Sequence, residues 1–258
     1  MRYFNGKINF DNVKQKTRLH HQHKKLGEES PGLQCKDSTF MDNNAIVEKI
    51  ISKERLEPYL YYHKNDLSKA IAHYKSNILI SESFYPLLAV LEIGLRNSID
   101  YQLTKRFNDK EWYDNKEFVK IATRFQIDRL SHARTNIYSE KKVITPGRII
   151  SELSFGFWTS LFDTKFEMTL WKNLRLSFPS CPKNIRKRKT MSSKFNRSRK
   201  LRNRIFHHEA ITWNLNVLNL YKDEIIQGIE WLDKDLLEWI VELNHVEETI
   251  SKVRETID

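Results

Sequence analysis

An arginine, an asparagine and a pair of histidines stand together in Leu201-Arg202-Asn203-Arg204-Ile205-Phe206-His207-His208-Glu209. Arg202 is separated from His207 by four residues, an R-x4-H spacing with Asn203 directly after the arginine. Without a metal, these side chains suit one reaction well, the cleavage of RNA through its own 2′-hydroxyl. Histidine ionises near neutral pH and can take or give the proton. Arginine stabilises the charge that builds on phosphorane oxygens. Asparagine can orient either group or bind a phosphate oxygen. No carboxylate cluster with metal-ligand spacing accompanies the motif, so neither a metal nor another cofactor is expected. The spacing alone is a weak signal, because Arg18 and His23 match it too. A structural reading fits the same residues: a helix end where His207 and His208 cap carbonyls and Arg202 makes a buried ion pair.

The elements that must position these groups follow from periodicity. If residues 185–208 form one helix at about 100° per residue, Met191, Phe195, Leu201, Ile205 and Phe206 share an arc of about 140°, a core-facing stripe. Asn203 and His207 are i, i+4 neighbours beside it. Arg202 falls inside the arc, where a guanidinium requires a partner. The expected partner is Glu92, at the edge of the apolar face of Leu91-Glu92-Ile93-Gly94-Leu95-Arg96-Asn97. Arg96 lies one turn beyond Glu92, and Asp100 a further turn on. Helix 83–107 is therefore expected to pack against helix 185–208.

Charge is concentrated around the motif. The whole chain of 258 residues carries 44 Lys and Arg against 33 Asp and Glu, a net +11. From residue 168 to 208 there is no acid and there are 13 bases. From 209 to 258 the sign reverses, with 12 acids against 4 bases. An acid-free basic run implies a polyanionic partner, with phosphates on Lys183, Arg186, Lys187, Arg188, Lys189, Lys194, Arg197, Arg199, Lys200 and Arg204. Against this stands the plain reading of a solvated basic face beside acidic C-terminal helices.

Only 7 glycines are present, three of them before residue 41. That leaves too few for a many-turned β fold or a phosphate-cradling loop, and points to an all-α fold. Helices are expected at about 44–62, 66–80, 83–107, 117–138, 146–162, 164–177, 185–208, 215–231 and 234–254. Pro86 and Pro146 suit first turns, with Thr145 as N-cap. The aromatic middle (Phe155, Phe157, Trp158, Phe162, Phe166, Trp171) reads as core. Residues 1–40 read as a flexible N-terminal extension, with His20-His21-x-His23 as an incidental cluster, and 41–258 as the helical domain. The best apolar run, Phe84 to Leu95, is 12 residues long and contains Pro86 and Glu92, so no membrane span is expected. Cys35 and Cys181 form no disulfide or zinc framework, and a cytoplasmic location is expected.

Four segments together resemble the Abi-like (abortive infection) family, a branch of the HEPN superfamily. They are Glu54-Arg55-Leu56-Glu57-Pro58-Tyr59-Leu60, Leu91-Glu92-Ile93-Gly94-Leu95-Arg96-Asn97, Ser151-Glu152-Leu153-Ser154-Phe155-Gly156-Phe157-Trp158, and the Leu201–Glu209 segment. The resemblance covers about residues 50–240. It implies a HEPN-type helical bundle with additional helices and a metal-independent ribonuclease of a phage-defence or toxin–antitoxin system. It also implies a homodimer in which two motifs face each other, with RNA as substrate and an antitoxin protein or RNA as partner. Carried over by position, Arg202, Asn203 and His207 are the motif residues, His208 is the neighbouring histidine, and Glu92 orients the arginine. Some HEPN domains only bind, so a non-catalytic module holding a small noncoding RNA or a protein partner is the alternative.

Overall fold

A computed structural model describes residues 49–257, all within the unit that begins at residue 42. The expected N-terminal extension, the 20–23 histidine cluster, Cys35 and the start of the first expected helix lie outside the described residues. Twelve α-helices lie wholly within them, and no strand occurs among them. The all-α expectation is met.

Short polar residues set the helix starts. Helix α1 (Lys53–Tyr62) begins behind Ser52, and α2 (Leu67–Ser83) behind Asp66, each side chain accepting a backbone N–H of the first turn. Helix α3 (Tyr85–Phe107) follows after Phe84 alone, with Pro86 in its first turn, and ends at Asn108 in the left-handed region. Helices α4 (Lys116–Ile121) and α5 (Arg124–Ser139) divide the expected 117–138 helix. Thr123 and Gln126 form a capping box that starts a new helix there. Helices α6 (Pro146–Glu152) and α7 (Phe155–Ser160) likewise divide 146–162, with Ser154 as the second N-cap. Thr145 caps α6 as expected. The 164–177 stretch is two 3₁₀ turns around the one-turn α8 (Trp171–Leu174). Helix α9 (Arg188–Phe206) carries the motif, and α10 (Leu215–Leu232) follows it. The expected last helix is broken at Glu242–His245 into α11 (Lys234–Val241) and α12 (Val246–Ile257).

One continuous core joins these helices. Helix α10 packs along α3, α9 packs on α10 and α7, and α12 lies along α2, which also carries α1. At Gly228 the helices come close, and a Cβ there would sit 3.1 Å from Leu91 Cδ1 and 3.6 Å from Phe195 Cε1. Helices α3 and α9 both pack on α10, and they touch each other at Glu92–Arg202 and Tyr85–Phe206. Across α2 and α3 the chain is long and apolar enough to cross a membrane, with a mean hydropathy of 1.6 over its best 18 residues. The sequence reading took only the 12-residue run from Phe84 to Leu95 and missed this. Ile80, Phe84, Leu87, Leu88, Leu91 and Leu95 from this stretch are all buried in the bundle core.

Candidate functional site

Helix α9 stays helical through Phe206, and the two histidines form its stop. His207 is the C-cap, its N–H donating to the Asn203 carbonyl at 2.9 Å. His208 has φ 56°, in the left-handed region. Its N–H donates to the Ile205 carbonyl at 3.0 Å, and that of Glu209 to the Arg204 carbonyl at 2.9 Å. This pair of bonds is a Schellman turn, in which the left-handed position normally takes glycine. A histidine there costs backbone strain, of a kind that collects at functional sites.

Two side chains from other helices, and Arg204 of α9 itself, fix this turn. Arg55 of α1 donates from Nη1 to the His208 carbonyl at 2.6 Å and approaches the His207 carbonyl at 3.5 Å. It brings positive charge to the negative end of the α9 dipole. Asn77 of α2 donates to the Glu209 carbonyl at 3.3 Å and accepts from the Ile211 N–H at 2.8 Å. Arg204 reaches the Ala210 carbonyl and the Glu209 carboxylate. So Arg204, expected on phosphate, is engaged in the turn. Arg55 and Asn77 were not singled out from sequence. Each lies more than 130 residues from the carbonyls it holds, and nothing local marks a donor to a distant backbone.

Arg202 and Glu92 do meet, with Nε 3.4 Å from Oε2. Two expectations need correcting. The Arg202 side chain is 32 % exposed, half-buried at the edge of the stripe, not inside it. Phe206 is 43 % exposed and is not core; its ring lies under the guanidinium, 4.3 Å from Cζ, and beside Tyr85, with centroids 6.2 Å apart. Met191, Phe195, Leu201 and Ile205 are buried as expected. The Arg202 Nε–H does not point at Glu92, so the contact is an ion pair without a hydrogen bond. Among the described residues no acceptor takes any Arg202 N–H, nor is either histidine ring hydrogen-bonded. A guanidinium has five such donors. Arg96 instead donates to the Asn97 side chain, and Asp100 accepts from Trp112 Nε1 at 2.7 Å. Burial holds the Asp100 carboxyl above its ordinary value.

No family model, curated protein or solved structure matches this chain. The site therefore has to be read from its own geometry.

The basic segment divides into tools and struts. Lys194 corrects the sequence reading: it is 5 % exposed, and its ammonium donates to the Glu224 carbonyl at 3.1 Å and Gln227 Oε1 at 2.7 Å, over the Trp231 ring. Desolvation lowers its pKa to about 8. Arg186 is folded back onto the Cys181 and Pro179 carbonyls. Arg188 is bound to Glu167 and to the Phe162 carbonyl. Arg197 is paired with Glu224 through two hydrogen bonds, and Arg199 donates to Asn196. Lys183, Lys187, Lys189 and Lys200 are exposed, without a side-chain partner among the described residues.

A histidine chain that the sequence reading passed over backs the site. His63 Nε2 lies 3.0 Å from His73 Nδ1, and His73 Nε2 lies 2.9 Å from Thr212 Oγ1. Thr212 in turn reaches Asn77 Oδ1 at 3.4 Å. His73 is fully buried among Tyr59, Tyr62 and Trp213. Burial, with His63 beside it, lowers its pKa to about 4.

Proposed function

We propose that this chain is a metal-independent endoribonuclease of HEPN type, resembling the Abi-like proteins of abortive-infection or toxin–antitoxin phage defence. The observation that carries the reading is Arg202: a half-buried guanidinium held by Glu92 and Phe206, with no protein acceptor on its N–H donors among the described residues, five residues before the exposed His207–His208 pair, whose rings make no hydrogen bond. In this reading a phosphate takes its terminal Nη donors, and Asn203 binds a phosphate oxygen. One histidine removes the 2′-hydroxyl proton as the oxygen attacks phosphorus, and a histidine returns a proton to the leaving 5′-oxygen. The exposed Lys183, Lys187, Lys189 and Lys200 track the backbone. The chain holds one motif on α9, so the second half of the site is supplied by another copy in a homodimer. An antitoxin protein or RNA restrains it in the cytoplasm. The test is cleavage of end-labelled RNA in EDTA. The expected product carries a 2′,3′-cyclic phosphate, DNA is refused, and Arg202→Ala and His207→Ala are inactive. Metal-dependent cleavage, or full activity of His207→Ala, would overturn the mechanism. The second reading, a non-catalytic module holding a small noncoding RNA or a protein partner, draws on the absence of any group orienting the histidine rings among the described residues. Binding without cleavage would select it.

A further inference from the structure

Next to the motif lies a cavity of about 480 Å³, in the size range of sites that hold small organic groups. Helices α2, α3 and the end of α9 enclose it. Its walls are Tyr74, Ile78, Tyr85 and Phe206, and Glu82 and His208 also line it. Three features single it out. The walls are aromatic and partly open, with Tyr85 57 % and Phe206 43 % exposed, and such rings are platforms on which bases stack. The cavity adjoins the motif, because Phe206, which carries the Arg202 guanidinium on its ring, and His208 both line it. Finally, Glu82 is exposed with no ion-pair or hydrogen-bond partner among the described residues.

We propose that this cavity seats a guanine base of the RNA strand, next to the phosphate held by Arg202. The inference rests on the ribonuclease reading for the strand's position, but the binding step stands by itself. Guanine is chosen by chemistry. A carboxylate only accepts hydrogen bonds, through two oxygens side by side. Guanine alone among the four bases offers two parallel N–H donors, N1–H and the N2 amino group, on one edge. Adenine and cytosine set an acceptor beside their amino group, and uracil flanks its single N–H with two carbonyls. An exposed carboxylate in the cavity wall would repel an RNA strand unless it reads a donor edge. Tyr85 and Phe206 supply the stacking that any base accepts, and Glu82 supplies the choice.

The experiment titrates the full chain with GMP, AMP, CMP and UMP by calorimetry, and in parallel maps cleavage of an RNA containing every dinucleotide step. GMP is expected to bind about ten-fold or more tighter than the others. Glu82→Gln should bring the four affinities together, and Tyr85→Ala should weaken all of them. Circular dichroism melts establish that both exposed-site variants fold. GMP-selective binding without cleavage supports the pocket and overturns the ribonuclease reading. Cleavage without base preference, together with equal nucleotide affinities, overturns the pocket and leaves the ribonuclease reading standing. If no nucleotide binds and Tyr85→Ala converts a dimer to a monomer by light scattering, the cavity is a subunit contact and the proposal falls.

Discussion

Acidification from pH 7 to 4.5 should destabilise this fold through His73, and the size of the effect follows from the structure. His73 is buried, and its neutral ring closes a chain of hydrogen bonds. His63 donates to Nδ1, Nε2–H donates to Thr212, and the Thr212 hydroxyl reaches Asn77. That order uses every donor once, which fixes the tautomers. A second proton would have to sit on Nδ1, facing the His63 N–H, and would carry charge into an aromatic box. The sign follows directly. The unfolded chain takes up this proton below about pH 6.5, whereas the folded chain resists until about pH 4. Stability is therefore full above 6.5 and falls as pH falls toward 4, reaching at most about 3 kcal/mol at 1.36 kcal/mol per pH unit. His63 shifts the same way, lowered by burial and then by Lys69, with Asp66 opposing. Asp100 and Asp163, raised by burial, act oppositely, gaining stability as they protonate. The histidine share of the slope between pH 6.5 and 5 is therefore the part that replacing His73 removes. Urea unfolding at half-unit pH steps measures it. His73→Gln should flatten the slope in that window, at a cost of about 1–3 kcal/mol at pH 7 for the disturbed bonds. A wild-type stability flat between pH 7 and 5 would refute the reasoning.

Replacing Lys187, Lys189 and Lys200 together by Ala should lower RNA affinity and reduce its salt dependence with little change in melting temperature, whereas Lys194→Ala should do the reverse, costing about 1–3 kcal/mol. Filter binding at two salt concentrations and a thermal melt separate the two behaviours. His208→Gly should raise the urea midpoint by the equivalent of about 0.5–1 kcal/mol, because glycine adopts the left-handed turn without strain; His208→Ala should show no such gain. Arg202→Ala should cost about 1 kcal/mol in the same assay, the worth of a half-exposed ion pair, and Glu92→Gln about the same.

The helical class was legible because glycine is scarce and the 3.6-residue period runs through most of the chain. The Glu92–Arg202 pairing was legible because a cation near an apolar stripe demands a partner, and the stripe on α3 offered one carboxylate at its edge. Helix breaks at Thr123, Ser154 and residues 242–245 were missed for a common reason. Apolar periodicity continues across them; at Thr123 a capping box starts the new helix, while Ser154 sits at its N-cap in extended backbone without a side-chain cap. The placement of Phe206 erred because a projection on an ideal helix gives direction without depth. At the last residue of α9 the ring meets the Arg202 guanidinium and Tyr85 and stays 43 % exposed. The basic run misled most at Lys194, since sequence shows charge but not the Glu224 carbonyl and Gln227 amide that take a lysine into the α9–α10 seam.

The site divides by mechanical character. Arg202 and Asn203 stand on a rigid helix, so their positions are set by the packing of Leu201 and Ile205. The histidines stand beyond the helix, on a strained turn whose carbonyls are held from α1 and whose exit is held from α2. The His63–His73–Thr212 chain ties those holding elements together, since α1 ends at His63, α2 contains His73, and Thr212 shares Asn77 with the exit. Backbone precision at the histidines thus comes from the N-terminal helices, while the rings themselves are exposed and make no hydrogen bond among the described residues. A change that loosens α1, such as Arg55→Ala, should therefore blur the histidine positions without touching Arg202. In a cleavage assay this appears as a slower chemical step with RNA affinity preserved.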